Sequence, residues 1–124
     1  MMTIACRGIR GATTADINTK ESILDATKEL LEKVIAANSI EQAQVAAIFF
    51  TTTPDLNAEF PAAAARAMGW TNTALLCSHE MSVPHGLPGC IRVLILVNTE
   101  NQPEELVHVY LKEATTLRAG GLDE

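Results

Sequence analysis

The sequence is short of positive charge. Nine Lys and Arg residues are set against 15 Asp and Glu residues, so the formal net charge is −6. A protein that holds nucleic acid by bulk charge needs an excess of Lys and Arg, because contacts to phosphate supply most of its affinity. The composition therefore excludes that class of protein.

Cysteine is scarce as well. The three cysteines, Cys6, Cys77 and Cys90, form an odd set without a CxxC or CxxxC pair. A secreted disulfide scaffold needs an even set of paired cysteines. The pattern therefore favours a reducing compartment, and we predict a cytoplasmic protein.

Long hydrophobic runs are also missing. Within residues 1–10 the apolar residues are interrupted at Arg7 and Arg10, so no signal peptide is predicted. The longest uncharged apolar stretch, 45–54, is too short to cross a bilayer. The sequence therefore predicts no membrane-spanning segment.

The apolar residues that are present suffice for one core. The chain has 124 residues, of which 48% are hydrophobic and 19% charged, and a chain of that size usually forms a single domain. We predict one domain over 1–118 and a mobile tail over 119–124. The mean hydropathy of +0.15 is high for a monomer, which suggests that subunits bury part of the surface.

Hydrophobic periodicity predicts alternating strands and helices. An amphipathic helix is predicted at 19–38, with Asn18 and Glu21 as its capping pair. The run 45–52 is typical of a strand buried on both faces. The other predictions are strands at 3–9, 73–78 and 91–98, a turn at 10–14, a short helix at 60–68, and a helical turn passing into extended chain at 103–111. The fold class is α/β (α+β), a mixed sheet in the order β-α-β-α-β-β packed by one long and one short helix.

The arginines are placed differently from the lysines. All four lysines fall in segments predicted to lie at the surface, whereas none of the five arginines clearly does. Because Arg offers a planar, permanently charged fork to carboxylates, this segregation indicates an anionic ligand. Internal ion pairing with Asp55, Glu59 or Glu80 is the alternative, and composition does not decide between them.

The order of the motifs is more specific. The chain opens with Arg-Gly-Ile-Arg-Gly-Ala-Thr-Thr at 7–14. Further motifs follow in order: Thr53-Pro54-Asp55-Leu56, Phe60-Pro61-Ala62, Arg66, Gly69-Trp70, Cys77, Glu80-Met81, Cys90-Ile91-Arg92-Val93, His108-Val109-Tyr110-Leu111 and Leu117-Arg118. From Ile4 to Arg118 the sequence resembles the monofunctional AroH class of chorismate mutases.

This resemblance implies both an assembly and a reaction. Members of the class are homotrimers of small α/β subunits, whose mixed sheets form a pseudo-barrel and whose active sites lie between subunits. They convert chorismate to prephenate in phenylalanine and tyrosine biosynthesis. The resemblance implies no metal, no cofactor and no covalent intermediate.

The resemblance also assigns roles to residues. Arg92 is the cation that faces the ether oxygen, where negative charge grows in the transition state. Glu80 accepts a hydrogen bond from the ring hydroxyl of the substrate. Arg10 is the third catalytic residue and holds a carboxylate together with Tyr110. The remaining predicted substrate contacts are Cys77, Leu76 and Arg118, together with Phe60 and Arg66, which a neighbouring subunit contributes.

Other classes of protein were weighed against this prediction. A cysteine hydrolase built on Cys77, His79 and Glu80 lacks a separate orienting residue. A metal site built on His79, His85 and His108 matches no zinc spacing. A non-catalytic trimer that binds a small metabolite, or an enamine deaminase of similar architecture, remains the alternative. The Cys-Ile-Arg and Tyr110 contexts argue against the deaminase, and activity on chorismate would exclude the non-catalytic protein.

Overall fold

The computed structural model describes residues 3–120, and the side chains up to residue 117. The chain forms β1 (Ala5–Thr14), α1 (Lys20–Asn38), β2 (Val45–Thr52), α2 (Ala62–Ala67), β3 (Ala74–His79), β4 (Cys90–Thr99), β5 (Val109–Tyr110) and α3 (Thr115–Gly120). Single 3₁₀ turns lie at Gln42–Gln44, Pro103–Glu105 and Lys112–Ala114. The order confirms the predicted β-α-β-α-β-β pattern and adds a short strand and a short helix at its end.

The five strands form one mixed sheet in the order β3-β2-β4-β1-β5. Strand β4 is central and pairs antiparallel with both β1 and β2. The outer pairs, β2 with β3 and β1 with β5, are parallel. The predicted mixed α+β fold class is therefore confirmed.

Strand β1 is longer than the sequence indicated. The predicted turn at 10–14 is wrong, because these residues continue the ladder with β4 as far as Thr14. Gly11 serves close packing here rather than a turn, since a Cβ at Gly11 would lie 3.0 Å from the side chains of Val34 and of Val93. The glycine lets α1 approach β1 beside Arg10.

Helix α1 follows the predicted periodicity, but its cap is different. The N-cap is Thr19, whose hydroxyl accepts from the backbone N–H three residues later, and not the predicted pair of Asn18 and Glu21. Asn18 Oδ1 instead accepts from the backbone N–H groups of Asn57 and Ala58, at 3.0 Å each. Asn18 thereby holds the loop that leads into α2.

One face of the sheet is covered and the other is open. On β2, Ile48 and Phe50 are buried in the core with α1 and α2, so a single subunit covers only one of the two faces that were predicted to be buried. The opposite face carries Phe49, Leu76 and Leu94, which adjoin across three strands and are 37%, 58% and 38% exposed. An exposed apolar patch of this kind marks an interaction surface.

The predicted domain boundary at residue 118 falls inside helix α3, which continues as far as Gly120. Residues 121–124 of the predicted tail lie outside the described part of the chain, so the tail stays a prediction. Of the helices between residues 3 and 120, none combines the length and apolar character that a membrane span requires.

Candidate active site

An arginine and a glutamate are paired at one end of the open sheet face. Arg92 lies on β4, and Glu80 follows β3 directly, where its backbone N–H donates to Thr52 O at 2.8 Å. Arg92 Nε donates to Glu80 Oε2 at 3.0 Å and Nη2 donates to Oε1 at 2.9 Å. The hydroxyl of Thr51, which lies opposite Arg92 in the ladder, also donates to Glu80 Oε2. The carboxylate is therefore fixed by two strands at once.

This pair is partly withdrawn from water. The side chain of Arg92 is 30% exposed and that of Glu80 is 18% exposed. A bidentate, charge-assisted pair fixes the orientation of the guanidinium group. Withdrawing a guanidinium from water is costly unless an anion compensates the charge. Glu80 supplies that anion, so the ion-pair interpretation of the arginines holds for Arg92.

A cavity of about 350 Å³ lies beside the pair. Arg10 reaches it from β1 and Tyr110 from β5, and Phe49 and Leu94 form its apolar wall. The structure thus brings together four residues that the sequence predicted for one site: Arg10, Glu80, Arg92 and Tyr110. An apolar wall with several convergent polar groups is typical of a small-molecule site.

The other predicted contacts lie elsewhere. Phe60 and Cys77 line a second cavity of about 320 Å³ together with His79. Burial raises the pKa of the Cys77 thiol, and the Ala62 backbone and the charge of Arg66 offset this in part, which places Arg66 near Cys77. Phe60, Arg66 and Cys77 therefore form a second group, separate from the Arg92 cavity.

Two predicted contacts belong to neither group. Leu76 lies on the open apolar face next to Phe49 and is exposed. The backbone of Arg118 belongs to α3, but its side chain lies outside the described part of the structure.

Sequence reasoning missed part of the surroundings of the pair. A neighbouring cavity of about 290 Å³ shares Glu80 and Arg92 and is also lined by Leu117 and by the loop after β3. Thr51 was missed because a threonine inside a strand gives no signal of a site until the strand's register is known. Leu117 had a signal, since its Leu-Arg motif was recognised, but no role was assigned to it.

The alternative chemistries find little support among the described residues. Burial raises the pKa of Cys90 to about 11 and also raises that of Cys77, so both thiols are protonated near neutral pH, whereas a nucleophile needs the thiolate. His108 Nδ1 accepts from the backbone N–H of Arg10. Between residues 3 and 120, no group of three or more His, Cys, Asp or Glu side chains is arranged to hold a metal ion.

Fold and site together define a class. The chain is a small α+β subunit with an open apolar sheet face, and the cavity at the end of that face holds two arginines, a glutamate and a tyrosine. Two guanidinium groups in one cavity suit a small ligand that carries carboxylates.

Comparison with known proteins gives the family. Residues 6–120 match the family model described as chorismate mutase type I. The chain is 49% identical over 113 residues to the chorismate mutase AroH of Thermus thermophilus, covering 90% of this chain and 93% of that protein. It is 45% identical over 113 residues to the AroH of Bacillus subtilis strain 168, covering 90% and 89%. A chorismate mutase structure from Clostridium thermocellum superposes with a TM-score of 0.88 at 47% identity, covering 90% of this chain and 99% of that one. The chain belongs to the type I chorismate mutases.

Proposed function

We propose that this protein is an isomerase that converts chorismate to prephenate in phenylalanine and tyrosine biosynthesis. The observation that carries the proposal is the bidentate Arg92–Glu80 pair, which shares one cavity with Arg10 and Tyr110. Chorismate carries two carboxylates, an ether oxygen and a ring hydroxyl, and these four residues match those groups in charge and hydrogen bonding. The reaction breaks one C–O bond and forms one C–C bond within the same molecule, and no proton or group leaves.

Arg92 is the group that lowers the barrier. As the C–O bond stretches ahead of C–C bond formation, negative charge grows on the ether oxygen and positive charge on the ring fragment. A cation fixed in advance beside that oxygen stabilises the transition state more than the bound substrate. Glu80 holds the guanidinium in place at 2.9 and 3.0 Å, so no reorientation is needed during the reaction.

Glu80 has a second role in this proposal. In the structure its carboxylate contacts Arg92 directly, rather than lying across the width of a substrate from it. We therefore expect chorismate to bind beside the Arg92–Glu80 pair and to contact both side chains. Its ring hydroxyl then donates to Glu80, and its ether oxygen faces the guanidinium of Arg92. The carboxylate then lies on the side where positive charge develops.

Arg10 and Tyr110 bind the substrate in this proposal. Their side chains converge on the cavity from β1 and β5, where they can hold one carboxylate. Holding both ends of chorismate compacts its flexible side chain toward the reactive form, which lowers the entropic part of the barrier. Leu76 and Arg118 stay proposed contacts of the same substrate.

We further propose a homotrimer whose sites lie between subunits. Two features support it: the open apolar face of the sheet, and the separate group of Phe60, Arg66 and Cys77, in which Phe60 is 66% exposed. An apolar face of a soluble subunit is typically buried against another copy. The neighbour then supplies Phe60 and Arg66, as the resemblance implies, and also Cys77, which the sequence did not assign to the neighbour but which lines the same cavity as Phe60. The cysteine content favours the cytoplasm as the location.

The function is tested with the purified protein and chorismate. We expect the chorismate absorbance to fall faster than in protein-free buffer and prephenate to be the product. The Arg92→Ala variant, at equal concentration, is the matched control and should be nearly inactive. Loss of chorismate at only the uncatalysed rate would contradict the proposal and favour a non-catalytic metabolite-binding protein.

Mixed assemblies test whether the sites are shared. If Arg92 and Arg66 of different subunits meet in one site, co-refolding Arg92→Ala chains with Arg66→Ala chains should regenerate about a quarter of the sites by random association. Activity per chain, measured on the mixture and on each parent, gives the result. Mixing Arg92→Ala with Arg10→Ala is the control, because both residues belong to the same half-site and no intact site can form. Mixed oligomers without regained activity would show that the sites are not shared.

A further inference from the structure

We propose that His108 is a positioning residue for Arg10, because its imidazole accepts the backbone hydrogen bond that a carbonyl of the neighbouring strand would accept in a regular sheet. This inference rests on the proposed function, in which Arg10 holds a substrate carboxylate. His108 lies directly before β5, and Arg10 lies on β1 beside the Arg92 cavity.

The ladder between β1 and β5 stops one step short of Arg10. The two strands pair in parallel, with Gly11 opposite Val109 and Ala12 opposite Tyr110. Leu111 N donates to Ala12 O at 2.9 Å, as a parallel ladder requires. Continued by one step in the same pattern, the ladder would direct the N–H of Arg10 to the carbonyl of residue 107.

The carbonyl of Val107 instead accepts a hydrogen bond from the side chain of Asn38. Asn38, the last residue of α1, donates from Nδ2 to Val107 O at 2.9 Å and accepts at Oδ1 from Val107 N at 2.8 Å. Both backbone groups of Val107 are therefore bonded to the end of α1. With Val107 held at the end of α1, the backbone N–H of Arg10 donates to a different acceptor, since an unsatisfied amide in a sheet is costly.

His108 provides this acceptor. Its Nδ1 lies 2.9 Å from the backbone N of Arg10. A backbone N–H can only donate, so Nδ1 is the acceptor in this contact, which assigns the ring proton to Nε2. On the other side, β1 pairs with β4, where Arg10 lies opposite Leu94.

The backbone from which the Arg10 side chain projects is thus fixed from both sides. A carboxylate-binding arginine acts only when its guanidinium is held close to the productive position. Loss of the His108 acceptor frees this end of β1 without removing the guanidinium. The effect should therefore appear in substrate binding rather than in the chemical step.

Three variants with different acceptor positions test the inference. In His108→Asn the amide oxygen takes nearly the place of Nδ1, in His108→Gln it lies where Nε2 was, and in His108→Leu there is no acceptor. We expect His108→Leu and His108→Gln to raise KM for chorismate about tenfold with kcat changed much less. His108→Asn should stay within about threefold of the wild type. Should the Leu variant not fold, the Asn and Gln pair carries the comparison.

A double variant separates positioning from a general loss of structure. In an Arg10→Ala background there is no guanidinium left to position, so adding His108→Leu should raise KM no further. An equal rise in both backgrounds, or an Asn variant as impaired as the Leu variant, would overturn the role of His108 and leave the proposed function intact. Wild-type protein without activity on chorismate would instead overturn the proposed function.

Discussion

Replacing Arg92 with citrulline, which keeps the shape of arginine and removes its charge, is expected to lower kcat by about 10²-fold or more. The ether oxygen of bound chorismate carries little charge until the bond stretches. The guanidinium charge therefore acts mainly on the transition state, and KM should change far less than kcat. Steady-state rates over a range of chorismate concentrations give both constants.

Two further substitutions control for this experiment. Arg92→Lys keeps the charge but loses the planar fork that grips Glu80 through two nitrogens, so we expect intermediate activity. Arg7→citrulline removes the same charge at a position where Nε donates to Asn101 O, away from the cavity, and should leave kcat near the wild-type value. Citrulline at 92 that raises KM with kcat preserved would assign Arg92 to binding instead.

Local pattern predicted the elements that local interactions determine. The helix 19–38 and the strand 45–52 were predicted nearly to the residue, because their apolar residues repeat at the helical period or form one continuous run. The end of β1 was not, since residues 10–14 are small and polar and read as a turn. Their extended conformation depends on pairing with β4, about 80 positions along the chain, which no local pattern reports.

The residues of the site were predictable, but their grouping was not. Motif order alone pointed to Arg10, Glu80, Arg92 and Tyr110, and these four share one cavity. The direct contact between Glu80 and Arg92 depends on how β2, β3 and β4 are registered. The same register turns Cys77 to the opposite face from Leu76 and places it with Phe60. A one-residue shift in pairing would reverse every such assignment.

Replacing Arg10 with Ala should change a different constant. Its proposed partner, a substrate carboxylate, is charged both in the bound substrate and in the transition state, so the interaction contributes equally to both. We expect KM to rise about 10-fold to 10²-fold, as the loss of a hydrogen-bonded ion pair implies, with a much smaller change in kcat. The same steady-state measurement used for Arg92 gives the comparison.

Arg7→Ala is the matched control, because Arg7 lies on the same strand three residues earlier and its Nε donates to Asn101 O at 3.2 Å. We expect its KM to stay within about threefold of the wild type, as for an exposed polar contact. A fall in kcat for Arg10→Ala with KM unchanged would contradict the binding role. The contrast matters because Arg10 and Arg92 line one cavity with equal charge. The two arginines differ in when their partners become charged. The carboxylate proposed for Arg10 is already charged in the bound substrate, whereas the ether oxygen proposed for Arg92 gains its charge only in the transition state, and this difference separates a binding arginine from a catalytic one.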